Sequence, residues 1–468
     1  MTLLMIGAVS LLLLFLAAAW AAARWPGQTT GAILLLLLVH ELLIRWLQNL
    51  AGLPQTEVTL VSLWKDVALA GLLVGTVFKS WQIDRDLRAR LVWRPGEPLL
   101  AAFAALGILG VVLSPDRLAG VAAYRDYFEP VVFYVVIRLT TIERKQLSWL
   151  LKAWLIVGAA MAVLAIWQSG WTTAQFAAWG FGTPSGQVGI PIGGVIGKAG
   201  LRPPSTVTGP NELAGHMILM ACAAFLLIFE SSGRKRTLFV VAAVLYGGAL
   251  VASASRSGFL GLLLGLAVAT AFAVIRKRQD VGRLGRRAWI GLGGALAVMA
   301  LMAVIVAVSG MGSLIGHTIQ SLAGQYHTLD TLGAVSFLVQ HPQGVGMGLV
   351  GPRQGFGFPA VAAFHVEGSY FQMAMEFGVW GLAIFLVFLF LALRQTWREG
   401  MRASPPTLRV LSGVSVAGWL GVSVTFLFLP LMQAFPLMAW LWFCLGIGQQ
   451  ASWLHRPSEG KAASKAES

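Results

Sequence analysis

The sequence predicts an all-α polytopic membrane protein, and three observations carry that prediction. Of 468 residues, 57% are hydrophobic and only 11% are charged, whereas soluble domains carry about 25% charged residues. Mean hydropathy is +0.76. Apolar runs of about 20 residues, the length that crosses a bilayer as a helix, recur along the whole chain.

The runs fall at 3–23, 30–48, 58–78, 98–113, 118–137, 147–168, 209–229, 237–254, 258–275, 288–309, 370–393, 409–428 and 430–449. This predicts thirteen spans, or twelve if the 98–137 and 409–449 regions divide differently. The first run has neither a basic start nor a small-residue cleavage site, so it reads as a retained span rather than a signal peptide. Cys222 and Cys444 lie inside apolar runs and form neither a disulfide framework nor a metal-ligand pattern. No internal repeat is evident. The chain thus divides into N-terminal spans (1–168), a first loop (169–208), central spans (209–309), a large loop (310–369), C-terminal spans (370–454) and a small, charged tail (455–468) expected to be disordered.

The formal net charge is +15, which in a soluble chain would point to nucleic acid. Here the basic residues stand between apolar runs, so they report topology and no nucleic-acid partner is expected. One set of alternate connections holds 25 of the 34 lysines and arginines. It includes Arg24, the Lys79–Arg94 group, Arg138 to Lys145, Arg234 to Arg236, the Arg276–Arg287 cluster and Arg394 to Arg409. The opposite set holds six: Arg117, Arg125, Lys198, Arg202, Arg256 and Arg353. The positive-inside rule places the first set in the cytoplasm, so both long loops face away from it.

Basic residues are scarce on the outer side, and two of them stand in constrained places. Arg202 lies in Leu-Arg-Pro-Pro-Ser-Thr-Val-Thr-Gly-Pro-Asn-Glu-Leu-Ala, just before a span. Arg256 lies in Ser-Ala-Ser-Arg-Ser-Gly, in a connection too short to leave the membrane surface. A pair of guanidiniums is suited to bidentate contact with phosphate oxygens. Gly209, Pro210 and Asn211 would open the following helix, whose N-terminal amides favour an anion. Alternatively, either arginine snorkels to lipid headgroups.

The large loop carries Tyr326, His327, His341, Arg353, His365 and Glu367 among glycines and aromatics. Loops this long between packed elements are usually functional or disordered. His365 and Glu367 are candidates for a general base acting on a hydroxyl, or they are simply the polar end of a loop. His341, in His-Pro-Gln-Gly-Val-Gly, reads as turn chemistry. Lys65-Asp66 and His40-Glu41 with Arg45 lie within apolar runs. They form either neutralising pairs between helices or, in a transporter, a polar path. A transporter would be supported by paired interrupted helices in repeated positions, and the sequence shows none. The tryptophan-rich span ends read as interfacial belts.

Taken in order, four motifs resemble those of the bacterial O-antigen ligase and polysaccharide polymerase superfamily. They are Arg202 followed by Gly-Pro-Asn-Glu-Leu-Ala, Ser-Arg-Ser-Gly at 255–258, His-Pro-Gln-Gly-Val-Gly at 341–346, and Ser-Tyr-Phe-Gln-Met-Ala-Met-Glu-Phe-Gly-Val-Trp-Gly at 369–381. Tyr124-Arg125-Asp126-Tyr127 is similar to a segment of some members. The resemblance implies a C-type glycosyltransferase of the inner membrane, working at the periplasmic face without metal or cofactor and with inversion. Its implied donor is a glycan on undecaprenyl diphosphate, and its acceptor is another glycan or the lipid A-core. Arg202 and Arg256 would bind the diphosphate, with Asn211, Ser255, Tyr370, Arg353 and Arg125 as possible supports. The base towards the acceptor would be Glu367 or His365. Ligases of this kind commonly show His-Asn a few residues before the aligned tyrosine. Here Glu367 takes the histidine position before Tyr370, and His365 stands two residues upstream. The Glu-x-Ser-Tyr form is similar to exopolysaccharide-type polymerases.

Overall fold

The computed structural model describes residues 2–83, 93–140, 142–181, 190–191, 201–279, 335–350 and 368–451. Arg353, His365, Glu367 and the expected span at 288–309 lie outside the described residues, as does the tail at 455–468. Where described, the chain is a bundle of helices. They are α1 (Thr2–Arg24), α2 (Pro26–Asn49), α3 (Gln55–Ser62), α4 (Trp64–Ile83), α5 (Glu97–Leu113), α6 (Arg117–Phe128), α7 (Val131–Leu139), α8 (Arg144–Gln168) and the short α9 (Thr173–Ala178). A two-residue antiparallel pair follows, β1 (Ile190–Pro191) with β2 (Leu201–Arg202), Ile190 facing Arg202. Then come α10 (Pro210–Glu230), α11 (Gly233–Ala252), α12 (Arg256–Gln279), α13 (Ser369–Arg402), α14 (Pro406–Phe426) and α15 (Phe435–Gln449). Among the described residues, nine helices are long and apolar enough to cross a membrane. The chain is a multi-pass helical membrane protein.

Helices that are apolar all round belong in the core of a bundle, and two behave so. In α10 every residue from Glu212 to Leu226 is buried, and in α15 every residue is. They pack with α11, α12 and α14 around stacked aromatics such as Trp154 on Trp440, 4.5 Å between ring centres. By contrast α1 leans on α4 and α2 and leaves Leu12, Leu13, Leu16 and Trp20 exposed.

Prolines divide two of the expected spans. The 118–137 run is not one helix, because Pro130 has no N–H to bond the preceding turn. α6 ends at Phe128 and α7 begins at Val131. The 430–449 run gives a helix only over 435–449, opening at Phe435 with Pro436 in its first turn. A third run, 58–78, is interrupted at Leu63 between α3 and α4. Contacts between connections join the helix ends. At one end Lys79 Nζ donates to Arg24 O (3.3 Å), Arg138 Nε to Glu97 Oε1 (2.5 Å), and Arg409 Nη2 to Glu230 Oε2 (2.5 Å). At the other end Arg45 donates to Thr208 O, Ser114 Oγ to Met347 O (3.0 Å), and Ser369 Oγ to Leu429 O (2.7 Å).

α13 is broken at Gly378, whose φ of 75° and ψ of 168° lie in a region essentially reserved for glycine. The His-Pro-Gln-Gly-Val-Gly segment occupies the break. Val345 N–H donates to Met375 O (2.7 Å) and Val379 N–H to Pro342 O (2.9 Å), while Gly344 N–H closes its own turn on His341 O (2.9 Å). Gly344, Gly346 and Gly348 all have positive φ. The motif is therefore a clasp, as its turn chemistry suggested. It ties the large loop's described end to the bundle.

Candidate anion-binding site

Arg202 sits where the first loop returns to the bundle, and three layers of contact position it. β2 pairs its backbone with β1. Beside it, Leu201 packs into a small aromatic core with Trp171, Phe176 and Phe181. Trp46 Nε1 donates to Trp179 O (3.1 Å), and Asn49 Nδ2 to Gly180 O (2.6 Å). These tryptophans hold the first loop down, a role beyond the interfacial belt that composition suggested.

Beyond Arg202 the chain is pinned residue by residue. Ser205 has left-handed backbone, φ 57°, a conformation that non-glycine residues keep only when surrounded by fixed partners. Its partners come from α8: Ser205 N–H donates to Gln168 Oε1 (2.8 Å) and its hydroxyl to Met161 O (2.7 Å). Thr206 Oγ1 donates to Leu38 O (2.5 Å), and Leu42 N–H to Thr206 O (3.2 Å). With Arg45 on Thr208 O, α2 thus grips the segment from its other side. At the start of α10, Glu212 accepts from Thr208 N–H (3.1 Å) through Oε2.

The guanidinium of Arg202 then bridges two helix ends. Nε donates to Ser253 O (2.8 Å) at the end of α11, and Nη2 to Asn211 Oδ1 (2.7 Å) in the first turn of α10. The turn from α11 into α12 is tight. Ala254 has φ 49°, Ser255 N–H donates to Ser253 Oγ (3.3 Å), and Ser255 Oγ accepts from Gly258 N–H (3.3 Å). The second cation, Arg256, is the first residue of α12, and its side chain is exposed. The guanidinium of Arg202 is pushed down to about 10, mainly by burial and further by the neighbouring charge of Arg256. It stays protonated at neutral pH. The two arginines therefore stand within electrostatic reach of each other. The bonds Arg202 makes here go to neutral oxygens, which do not cancel its charge.

Like charges placed together at two helix N-termini make a site for an anion. One anionic group with several oxygens can bond both guanidiniums and the amides behind them. Arg202, Arg256, Asn211 and Ser255, all named from sequence, meet here. Tyr370 packs elsewhere, against α14. It lies half-buried in the first turn of α13, edge-on to Phe426 at 5.9 Å. Arg125 belongs to a separate cluster, its Nε 3.4 Å from Asp66, 3.5 Å from Glu129 and 3.9 Å from Asp126. Lys65 completes that cluster, 3.3 Å from Asp66 and 3.4 Å from Glu129. Gln168, Ser253 and Arg45 position the site and were not assigned to it from sequence. Their signal was weak: a glutamine closing one apolar run and an arginine inside another.

The bundle defines a multi-pass helical membrane protein, with Arg202 and Arg256 gathered as a candidate anion site at one end of its central helices. No protein-family model and no curated protein matches the sequence, so the functional reading rests on this geometry and on the motifs that carry it.

Proposed function

We propose that this chain is a glycosyltransferase of the bacterial inner membrane. It would act at the periplasmic face and transfer or polymerise oligosaccharides linked to undecaprenyl diphosphate. The observation that carries the reading is the Arg202–Arg256 pair. The two cations sit together beside the openings of α10 and α12, where the first long loop returns to the bundle.

The chemistry follows from what a diphosphate-linked sugar needs. The bond from the anomeric carbon to the diphosphate oxygen breaks as an acceptor hydroxyl attacks from the opposite face, which inverts the anomeric configuration. Negative charge grows on the departing lipid diphosphate, and two fixed guanidiniums stabilise it without reorganising. The hydroxyl proton passes to a base, assigned to Glu367 or His365 in the large loop. No metal is required in this scheme, and apolar grooves between helices accommodate the polyprenyl tail. The acceptor is a second glycan in a polymerase or the lipid A-core in a ligase, and the Glu-x-Ser-Tyr form favours the polymerase.

Glycan profiling of cells carrying Arg256→Ala, Glu367→Ala or His365→Ala at wild-type protein levels tests the reading. Loss of an electrostatic contact of this kind costs about 10²–10³ in rate, so Arg256→Ala should abolish visible polymer. Normal polymer from all three variants would refute the assignment.

One observation favours a second reading, a transporter. Lys65, in the first turn of α4, meets Glu129 at the break between α6 and α7, and discontinuous helices mark transport sites. Substrate uptake by reconstituted liposomes without any glycosidic bond formed would decide for transport.

A further inference from the structure

The opening of α10 holds a buried acid and base that the anion site does not use. Glu212, in the first turn, accepts from Thr208 N–H through Oε2 (3.1 Å), and its other oxygen, Oε1, meets no hydrogen-bond donor among the described residues. One turn further in, His216 is fully buried, and neither of its ring nitrogens has a hydrogen-bond partner among those residues. The i, i+4 spacing puts the two side chains on one helix face, with His216 Nε2 3.8 Å from Glu212 Oε1. Three polar atoms of this pair are thus left without a hydrogen bond in the interior, where an unsatisfied polar group is costly.

The charges around the pair do not balance. α2 brings His40, Glu41 and Arg45 within electrostatic reach of Glu212, with Lys65 and Asp66 of α4 behind His40. Lys65 and Asp66 offset each other, which leaves one guanidinium against two carboxylates. That guanidinium bonds Thr208 O rather than either acid. α12 opens with Arg256, on the side of Arg202. The outer halves of α8, α11, α14 and α15 add no acid, lysine, arginine or histidine, and the Tyr246 hydroxyl of α11 is bonded to Leu155 O (2.7 Å). His40 does not supply the missing charge, because its Nδ1 accepts from Trp64 Nε1 (2.9 Å) and so carries no proton. A hard cation does not fit the pair either, since it takes about six oxygen ligands and Glu212 has one carboxylate oxygen to offer.

We propose that His216 is protonated in the folded protein and is the counter-ion of Glu212, so that the first two turns of α10 hold one buried proton. A buried carboxylate without a partner costs more than a buried ion pair, and that difference opposes the desolvation of the imidazolium. The proton matters to the neighbouring site because Glu212 and Arg45 grip Thr208 from its two sides, on the segment that leads from Arg202 into α10. Above about pH 6.5 the unfolded chain releases this proton, whereas the folded chain keeps it. The stability it contributes is therefore complete below that pH and is lost as pH rises through the titration of the folded pair. The proposal stands whether or not the glycosyltransferase reading does.

The test uses the full chain in detergent micelles, labelled with nitrogen-15 histidine. The chain has seven histidines, and the imidazole signal lost in His216→Gln identifies His216. In the wild type that signal should be cationic at about pH 7.5, a unit above the value of a free imidazole. In Glu212→Gln, which removes the negative charge and keeps an oxygen for Thr208 N–H, it should be neutral at the same pH. Glu57→Gln, on α3 and outside the cluster, should leave it cationic. Equilibrium unfolding gives a second readout. Above about pH 6.5 the unfolding constant of the wild type, relative to that of Glu212→Gln, should climb up to about tenfold per pH unit. A neutral His216 in the folded wild type at about pH 7.5 would overturn the proposal, and that spectrum decides even if Glu212→Gln fails to fold. A ratio of unfolding constants that does not change with pH would overturn it as well.

Discussion

Replacing Gly378 with alanine puts a measurable load on the clasp between the large loop and α13. At φ 75° and ψ 168° a residue with a Cβ bears a backbone cost of about 1–3 kcal/mol. The new Cβ would also sit 2.8 Å from both Pro342 O and Gln343 O. These are backbone atoms and cannot swing aside, so the clasp has to open. Opening it forfeits the Val345–Met375 and Val379–Pro342 hydrogen bonds, at about 1 kcal/mol each. Together the terms come to about 3–5 kcal/mol, a large share of the stability of an ordinary domain. Thermal unfolding in detergent reads the total. Amide exchange of peptides containing Val345 and Val379 reads the location, and protection there should fall well before it falls in α15. Gly248→Ala is the matched control, because its Cβ would meet only Ile166 Cδ1 at 3.4 Å, and alanine in a helix interior is neutral to stabilising. If Gly378→Ala unfolds within about 0.5 kcal/mol of wild type, with unchanged exchange at both amides, the clasp does not hold as described.

Three further perturbations test other parts of the argument. Gln168→Ala strips Ser205 of the acceptor for its N–H; we expect a loss of about 1–3 kcal/mol, read by thermal unfolding, and less polymer per folded molecule although neither arginine is touched. Glu97→Gln removes the charge that accepts from Arg138 Nε (2.5 Å), Tyr134 Oη (2.7 Å) and Arg94 N–H (2.8 Å), and breaking such a pair should cost about 3 kcal/mol in the same assay. Arg256→Gln relieves repulsion with Arg202, so Tm without ligand should stay level or rise, by up to about 0.5 kcal/mol equivalent, while polymer is lost.

What could be read from the sequence was what depends on neighbouring residues. The opening of α10 at Gly209–Pro210–Asn211 follows from local rules, and so does the turn at His341–Gly346. The meeting of Arg202 with Arg256 was legible only through the order of motifs, because 54 positions separate them. Contacts that join distant segments through ordinary polar residues left no local trace. Arg45 reaches Thr208 across 163 positions and Gln168 reaches Ser205 across 37. Apolar periodicity also overran the helix breaks. The run at 118–137 looks continuous because hydropathy averages over Pro130, whereas the backbone cannot. Lys65 and Asp66 were read as either a neutralising pair or a path. The structure places them within 4 Å of each other and in contact with Glu129 and Arg125.

Ser205 and Ala254 are the non-glycine residues with left-handed backbone among those described, one three residues after Arg202 and the other two before Arg256. Ala254 is held by its own turn, its N–H donating to Val251 O (2.9 Å), whereas the partners of Ser205 come from the distant α8. During insertion, then, the two cations are held in place only after α2, α8, α10 and α11 have converged. A half-assembled chain carries both arginines and none of the geometry that gathers them, which makes completion of the bundle the event that brings the candidate site into being.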